Sequence, residues 1–180
     1  TIQPMGWDVL GHEWAADLLQ RQIARGELRH AYLITGPAGV GRRTLALRLA
    51  QAANCANPTE PGVPCRACKR CLAIERMQHP DLSVVQAEQE GAILDIDSIR
   101  ELQRSLILSP FEAPYRVGLL LRFHEASPGA QNALLKTLEE APGKVILILT
   151  ADSAESLLPT IASRCEQLRL RPLGVEAAEQ

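Results

Sequence analysis

Apolar residues along this chain form two kinds of segment: short uninterrupted runs, and longer stretches in which they recur every three to four positions. Uninterrupted runs are typical of strands covered on both faces, and a period of 3.6 indicates helices with one buried side. The predicted strands are 31–35, 82–85, 117–123, 145–150 and 167–171. The predicted helices are 13–25, 42–53, 95–108 and one that begins at Ser127 and Pro128 and ends at Pro142 and Gly143. Strands separated by helices predict the fold class α/β, with a parallel sheet.

The composition is that of a globular domain with no general attraction to nucleic acid. Of the 180 residues, 46% are hydrophobic, which is enough for one full core. The chain has 19 basic and 21 acidic residues, so any contact with DNA must be local or belong to a partner. No apolar run is long enough to cross a membrane, and the first residues resemble no signal peptide, so we expect a cytoplasmic protein.

The segment from Tyr32 to Leu45 has the outline of a phosphate-binding P-loop, because a short strand runs through spaced glycines into a helix. That pattern requires Lys and then Ser or Thr after the last glycine, and two arginines stand there instead. A guanidinium offers no oxygen to magnesium, so we expect weak or absent nucleotide binding and no ATP hydrolysis. The residues of this degenerate cofactor-binding loop are Gly36, Gly39, Gly41, Arg42, Arg43 and Thr44.

Four of the five cysteines are spaced C-x9-C-x2-C-x2-C in a segment rich in proline and glycine. Four thiolates at this spacing can close a tetrahedron about Zn(2+), and a reducing cytosol argues against the alternatives of two disulfides or free structural thiols. The predicted ligands of this structural zinc site are Cys55, Cys65, Cys68 and Cys71. We expect His79 to be a surface residue rather than a competing ligand. The basic residues among the cysteines are expected to be exposed and solvated; they are Arg66, Lys69 and Arg70.

Two further segments carry a family resemblance, SPGAQNALLKTLEEAP at 127–142 and PTIASRC at 159–165. With VLGHE and RHAYLITG upstream, they closely resemble the clamp-loader branch of the AAA+ ATPases, and within it the bacterial delta-prime subunits of DNA polymerase III. The resemblance implies an AAA+ RecA-like parallel sheet flanked by helices, with a zinc-binding insert. It implies an AAA+ base domain over 1–172, a zinc module inserted at 55–71, and the start of a truncated lid domain at 173–180.

The same resemblance assigns roles to residues in the second half of the chain. The acidic pair that a working ATPase needs falls on Leu121 and Arg122, which can neither hold magnesium nor orient water. Glu125, the nearest acid, is expected to be a loop residue that comes too late to serve a metal. Thr150 takes the place of a polar sensor residue and is expected to be a capping or core hydroxyl.

Ser163, Arg164 and Cys165 match the SRC triplet of the family, whose arginine enters the ATP site of the neighbouring subunit. An arginine supplied in trans stabilises charge on the transferring phosphoryl group. The alternative is a surface arginine at a helix end, where positive charge suits the helix dipole. Cys165 is expected to be a small buried apolar residue.

The function implied is that of a catalytically inert, delta-prime-like clamp-loader subunit. It would brace the AAA+ ring and supply an arginine finger to a neighbouring ATPase subunit during sliding-clamp loading in DNA replication. Its partners would be motor subunits and the clamp-opening delta subunit, with the sliding clamp and primer-template DNA engaged through the assembly. One alternative is an ATP-hydrolysing motor subunit of the gamma/tau kind, which would need Lys and Thr in place of Arg42 and Arg43. Another is a zinc-dependent nucleic-acid-binding module, which would show a basic, aromatic-bearing face.

Overall fold

A parallel five-stranded sheet forms the centre of the computed structural model, which describes residues 6–172. The strands are β1 (Ala31–Thr35), β2 (Leu82–Val85), β3 (Arg116–Leu120), β4 (Val145–Ala151) and β5 (Glu166–Arg169). Their order across the sheet is β2-β3-β4-β1-β5, and every neighbouring pair is parallel. The prediction of an α/β fold with a parallel sheet is therefore confirmed.

Helices cover both faces of the sheet. They are α1 (Glu13–Ala24), α2 (Arg42–Asn54), α3 (Lys69–Glu75), α4 (Ile96–Leu106), α5 (Pro128–Glu139) and α6 (Pro159–Ala162). One core cluster packs α1 and α2 against strand residues such as Ile34 and Ile148, and the other packs α4 and α5 against Leu33 and Leu149. Because successive strand residues point to opposite faces, the uninterrupted apolar runs are what a doubly covered sheet requires.

Several elements differ from the sequence prediction. Strand β3 ends at Leu120 rather than Phe123, because Arg122 adopts a left-handed conformation with φ of 50° and opens a 3-10 turn over Phe123–Glu125. Strand β5 begins one residue early, at Glu166, and ends two residues early, at Arg169. Helices α3 and α6 were not predicted, because seven and four residues are too few to show a helical period.

The two edges of the sheet separate the candidate sites. Since all strands run the same way, the segments that follow β1, β3 and β4 meet at the carboxyl edge. The segments that precede β1 and β5 lie at the opposite, amino edge. A five-residue strand spans roughly 16 Å, at about 3.3 Å per residue. The P-loop segment after β1 is therefore far from the residues that lead into β5.

His79 is not the surface residue that the sequence suggested, because it is buried with 4% of its surface exposed. Its Nδ1 accepts the backbone N–H of Asp81 at 2.9 Å, which leaves Nε2 to donate to the Glu112 carboxylate at 2.8 Å. The fully buried Asp81 carboxylate accepts three backbone N–H groups, from residues 111, 112 and 113, at 2.5 to 3.0 Å. His79 and Asp81 together fix the loop that leads into β3.

Replacement of Asp81 by asparagine should lower the free energy of unfolding by about 2 kcal/mol at pH 7, because an amide replaces a charged acceptor of three backbone bonds. Burial raises the pKa of Asp81, but the three N–H groups and the nearby His79 bring it below its ordinary value. A depressed native pKa contributes stability that is full at neutral pH and is lost as the pH falls below about 4.

Urea unfolding of the Asp81→Asn variant and the natural chain at pH 7 and near pH 3 measures this effect. The difference between them should shrink at the lower pH. Asp97→Asn is the matched control, because the Asp97 side chain is 83% exposed, and it should shift stability by less than about 0.5 kcal/mol. A difference that stays constant with pH would contradict the assignment.

Candidate functional site

The loop of residues 36–41 joins β1 to α2 in the conformation of a phosphate cradle. Gly36 has φ of 151°, and a Cβ there would lie 2.8 Å from the backbone oxygen of Leu170. Gly41 has φ of 104° and immediately precedes α2. The first backbone N–H groups of a helix have no acceptor within the helix, so they are available to an anion at this loop. The buried ring of His12, which sequence analysis missed, contacts the Val40 carbonyl through Nε2 at 2.7 Å. The loop therefore leads through glycines with positive φ into a helix N-terminus, as a phosphate-binding loop requires.

The side chains at the start of α2 do not have the chemistry of a magnesium nucleotide site. Arg42 is half-buried, and its Nη1 atom finds no hydrogen-bond partner among residues 6–172. Burial lowers the pKa of Arg42, an effect opposed by the neighbouring Asp152. Arg43 and Thr44 are exposed, and the Nη2 atom of Arg43 reaches only the sulfur of Met77, at 3.8 Å. The first two positions of α2 therefore carry cationic side chains, and neither of them offers a hydroxyl.

The end of β3 contains an internal ion pair in the position that the acidic pair was expected to occupy. Leu121 is buried, and Arg122 donates through Nε to Glu125 at 2.8 Å and through its backbone N–H to Thr150 Oγ1 at 2.9 Å. Glu125 also accepts the backbone N–H of Gly91 at 2.6 Å. Burial raises the pKa of Glu125, but these hydrogen bonds and the charge of Arg122 lower it overall.

Glu125 therefore differs from the loop residue that the sequence predicted. It ends a 3-10 turn with only 8% of its side chain exposed, because the bond to Arg122 draws it inward. Its two oxygens accept hydrogen bonds from Arg122 and Gly91, so the carboxylate is held in an internal ion pair. Thr150 is buried and serves as an acceptor for backbone, as expected of a capping or core hydroxyl.

The four cysteines of the insert converge on one point, with all four sulfur atoms within 4.8 Å of one another. A tetrahedral zinc with sulfur ligands at about 2.3 Å places its sulfurs roughly 3.8 Å apart, so the cluster can close on such an ion with small adjustments. Their sulfurs also accept backbone N–H groups: Cys55 from Cys65 at 3.3 Å, Cys65 from Cys68 at 3.2 Å, and Cys68 from Cys71 at 3.4 Å. Such bonds orient and stabilise thiolate ligands. The donor set fits a thiophilic metal ion.

The surroundings shift the pKa values of three of the four thiols in different directions. Burial raises the pKa of Cys55 and of the fully buried Cys71. Burial opposes ionisation of Cys68 too, but hydrogen bonds from the Cys71 and Ala56 backbone and from neighbouring thiols lower its pKa to about 6. A cation at the centre would favour the thiolate at every position.

The insert is tied to the body of the domain by polar contacts. The Trp7 indole donates to the Gly62 carbonyl at 3.0 Å, and Gln51 donates to the Cys71 carbonyl at 2.9 Å. Buried Arg48, also on α2, pairs with Glu75 at 2.8 Å and so fastens α3. The cysteine cluster is thus part of the domain and not a separate appendage.

Of the basic residues between the cysteines, only Lys69 is exposed as predicted. Arg66 has 17% of its side chain exposed and lies 3.7 Å from the Asp8 carboxylate. Arg70 donates to the Glu112 carbonyl at 2.8 Å. The expectation of solvated side chains was wrong for these two arginines, because both face the surrounding loops.

Arg164 lies at the amino edge of the sheet, just after α6 and two residues before β5. Its side chain is 36% exposed, and it pairs through Nη2 with Glu139 of α5 at 2.8 Å and donates through Nη1 to the Thr160 carbonyl at 3.1 Å. Ser163 is exposed and donates to the same carbonyl at 3.2 Å. The depth of the sheet separates Arg164 from the P-loop of its own chain. Sequence analysis gave no signal for Glu139 as its partner.

Cys165, next to Arg164, stands apart from the other four cysteines. It is partly buried against the core cluster of α4 and α5, and burial raises its pKa to about 12. It therefore behaves as a small apolar residue, as predicted.

Among residues 6–172, no helix has both the length and the apolar character needed to cross a membrane.

Comparison with known proteins places the chain in a family. A family model described as "DNA polymerase III, delta subunit" matches residues 11–174. The chain is 36% identical over 172 residues to DNA polymerase III subunit tau of Salmonella typhimurium, covering 94% of this chain and 26% of tau. It is 35% identical over 156 residues to subunit delta' of Pseudomonas aeruginosa, covering 87% of this chain and 47% of delta'.

A solved structure supports the fold. The crystal structure of a DNA polymerase III gamma subunit-related protein from Thermotoga maritima superposes with a TM-score of 0.66 at 22% identity, covering 94% of this chain and 48% of that one. This likeness shows the shared fold, and the chain spans less than half the length of each of these three proteins. Because the family model matches nearly the whole chain, this protein belongs to the DNA polymerase III delta-subunit family, among the subunits of the bacterial clamp loader.

Proposed function

We propose that this chain is the AAA+ base domain of a delta-prime-like clamp-loader subunit. It does not hydrolyse ATP, braces the ring, and supplies Arg164 to the ATPase site of a neighbouring subunit during sliding-clamp loading in DNA replication. The observation that carries the proposal is the exposed Arg164 at the amino edge, out of reach of the P-loop of its own chain. Reconstitution of the full-length protein with motor subunits, scored for DNA-dependent ATPase activity, tests it.

The side chains at the carboxyl edge of the sheet support the proposal that this chain does not hydrolyse ATP. Arg42 and Arg43 stand in the two places that need Lys and a hydroxyl. Leu121 and Arg122 stand where the acidic pair is needed, and the nearest acid, Glu125, is engaged by Arg122. Both magnesium ligands and the water-orienting carboxylate are therefore missing.

The relatives do not decide between an inert and a hydrolysing subunit, because both a tau and a delta' protein match at about the same identity. The residues favour the inert subunit. A motor subunit would need Lys at 42, a hydroxyl at 43 and acids at 121 and 122, and the chain has none of these.

The proposed cofactor is one Zn(2+), held by the four clustered cysteines. Its role is structural, because four thiolates fill a tetrahedral shell and leave no open position for a substrate. The ion would bind the end of α2, the loop of residues 60–65 and the start of α3 to one another.

The proposed partners follow from the assembly. Motor subunits would contact the side of the domain that carries Arg164, and a clamp-opening delta subunit would contact the opposite side. The sliding clamp and primer-template DNA would be bound by the assembled ring. We expect the protein to act in the cytoplasm.

The purified chain should show no magnesium-dependent ATP hydrolysis above background. Arg42→Lys combined with Arg43→Thr should not restore it, because the acidic pair is also missing. Phosphate release measured beside an active clamp-loader motor subunit tests both statements. Turnover by the natural chain that disappears in an Arg42→Ala variant would show that the loop is an active site after all.

A further inference from the structure

We propose that Arg29 is a second cation that this chain presents, beside Arg164, to the phosphates of a nucleotide bound by the neighbouring subunit. The inference rests on the proposed trans role of Arg164. Both arginines line one cavity of about 330 Å³ at the amino edge, together with His30, Ser163 and Glu166. Residues 29 and 164 are far apart in sequence and meet only because β1 and β5 are adjacent.

The backbone of Arg29 is fixed by a partly buried hydrogen-bond network. Its N–H donates to the Tyr32 hydroxyl at 2.9 Å, and that hydroxyl donates to Gln22 Oε1 at 2.6 Å. Gln22 in turn donates to both carboxylate oxygens of Glu166, at 3.0 and 2.9 Å. The network joins α1, β1 and the start of β5, so it sets the position of Arg29 relative to the segment that carries Arg164.

The guanidinium group of Arg29 is less constrained than its backbone. Its side chain is 68% exposed, and its only close carboxylate is Glu166, 3.8 Å from Nε in the described part of the chain. A fixed backbone with a free, charged head suits a group that reaches for a ligand outside its own chain, because only side-chain freedom is lost on binding.

Each arginine of the cavity has a carboxylate beside it, Glu166 for Arg29 and Glu139 for Arg164. Both pairs are exposed to solvent, and exposed ion pairs are weak. A di- or triphosphate offers a guanidinium charge-assisted, forked hydrogen bonds that are stronger than such a pair. When the neighbouring subunit brings its bound nucleotide to the cavity, each arginine can therefore exchange its carboxylate partner for a phosphate. The ligand class is a polyphosphate, because the proposed ligand is the nucleotide bound by the neighbouring subunit.

Arg29 should contribute less than Arg164, because its guanidinium is more exposed and water screens its charge more strongly. In a ring reconstituted with the full-length subunit, Arg29→Ala should lower kcat/KM for ATP at the adjoining motor site by at least threefold. Arg29→Lys should restore only part of the activity, since an ammonium supplies the charge but not the forked hydrogen bonds. Arg25→Ala is the matched control, because Arg25 is also exposed and lies outside the cavity.

The outcomes separate this inference from the function on which it rests. A loss with Arg29→Ala but not with Arg25→Ala, in rings that assemble normally, supports it. A normal rate with Arg29→Ala while Arg164→Ala is impaired overturns it and leaves the proposed function standing. Failure of the Arg29→Ala ring to assemble also overturns it, since Arg29 would then be an interface contact. Normal rates with both variants would overturn the proposed function itself.

Discussion

Replacement of Arg164 by alanine should lower ATP turnover at the adjoining motor site at least tenfold. Arginines supplied in trans to phosphoryl-transfer sites contribute roughly 10³ to 10⁵ in rate, so tenfold is a cautious lower bound. In the proposed role, the guanidinium would stabilise charge that develops on the transferred group, and alanine would leave that charge without a partner.

Folding of the Arg164→Ala subunit should be nearly unchanged. The side chain is 36% exposed, and its bond to the half-exposed Glu139 carboxylate is an exposed ion pair, which contributes at most about 1 kcal/mol. Thermal unfolding and ring assembly measured on the same variant therefore separate a catalytic defect from a structural one.

Lysine at position 164 should rescue turnover poorly. A compact ammonium cannot span two phosphate oxygens as the planar guanidinium does. Arg21→Ala is a suitable control, because Arg21 is exposed and likewise donates to a carbonyl one turn before it, that of Asp17 at 3.3 Å. Site-resolved ATP hydrolysis in rings that carry each variant is the measurement. Unchanged turnover with Arg164→Ala would leave only a bracing role for this subunit.

Removal of the proposed zinc ion should lower the free energy of unfolding by more than about 4 kcal/mol, because loss of a structural metal is among the most destabilising single changes. Structural zinc sites have apparent binding energies of about 10 to 16 kcal/mol in small peptides, and part of that orders the surrounding chain. In this chain the ordered part includes the start of α3, where Cys68 accepts the N–H of Cys71.

Cys71→Ser should have the same effect as removal of the metal. Cys71 is fully buried, and its carbonyl accepts from Gln51, so loss of the site also loosens the contact between α3 and α2. Cys165→Ala is the matched control, because this cysteine is outside the cluster and should leave metal content unchanged.

Elemental analysis of chain purified without chelators, followed by urea unfolding with and without a chelator, tests the metal prediction. We expect one zinc per chain and no iron. A chain that contains no metal, or one with a disulfide between Cys55 and Cys65, would contradict the assignment.

The sequence by itself determined the elements whose causes are local. The apolar runs of β1 and β4 predicted both strands to within one residue, because a strand covered on both faces can hold few polar side chains. Ser127 and Pro128 predicted the start of α5, where the serine side chain accepts the N–H of Ala130. The spacing of the cysteines likewise predicted their convergence, since the two short intervals allow tight turns.

Only the tertiary structure decided the contacts between residues distant in the chain. The burial of His79 and Asp81 depends on a loop thirty residues further on, and the inward turn of Arg66 depends on Asp8. The hydrophobic periodicity of the sequence does not indicate such pairs, because the two partners come from different elements. The strand order places β5 beside β1, and so brings Arg29 and Arg164 to one cavity while keeping both on the opposite edge from the P-loop. In a parallel sheet, strand order and direction fix which side chains can share a ligand.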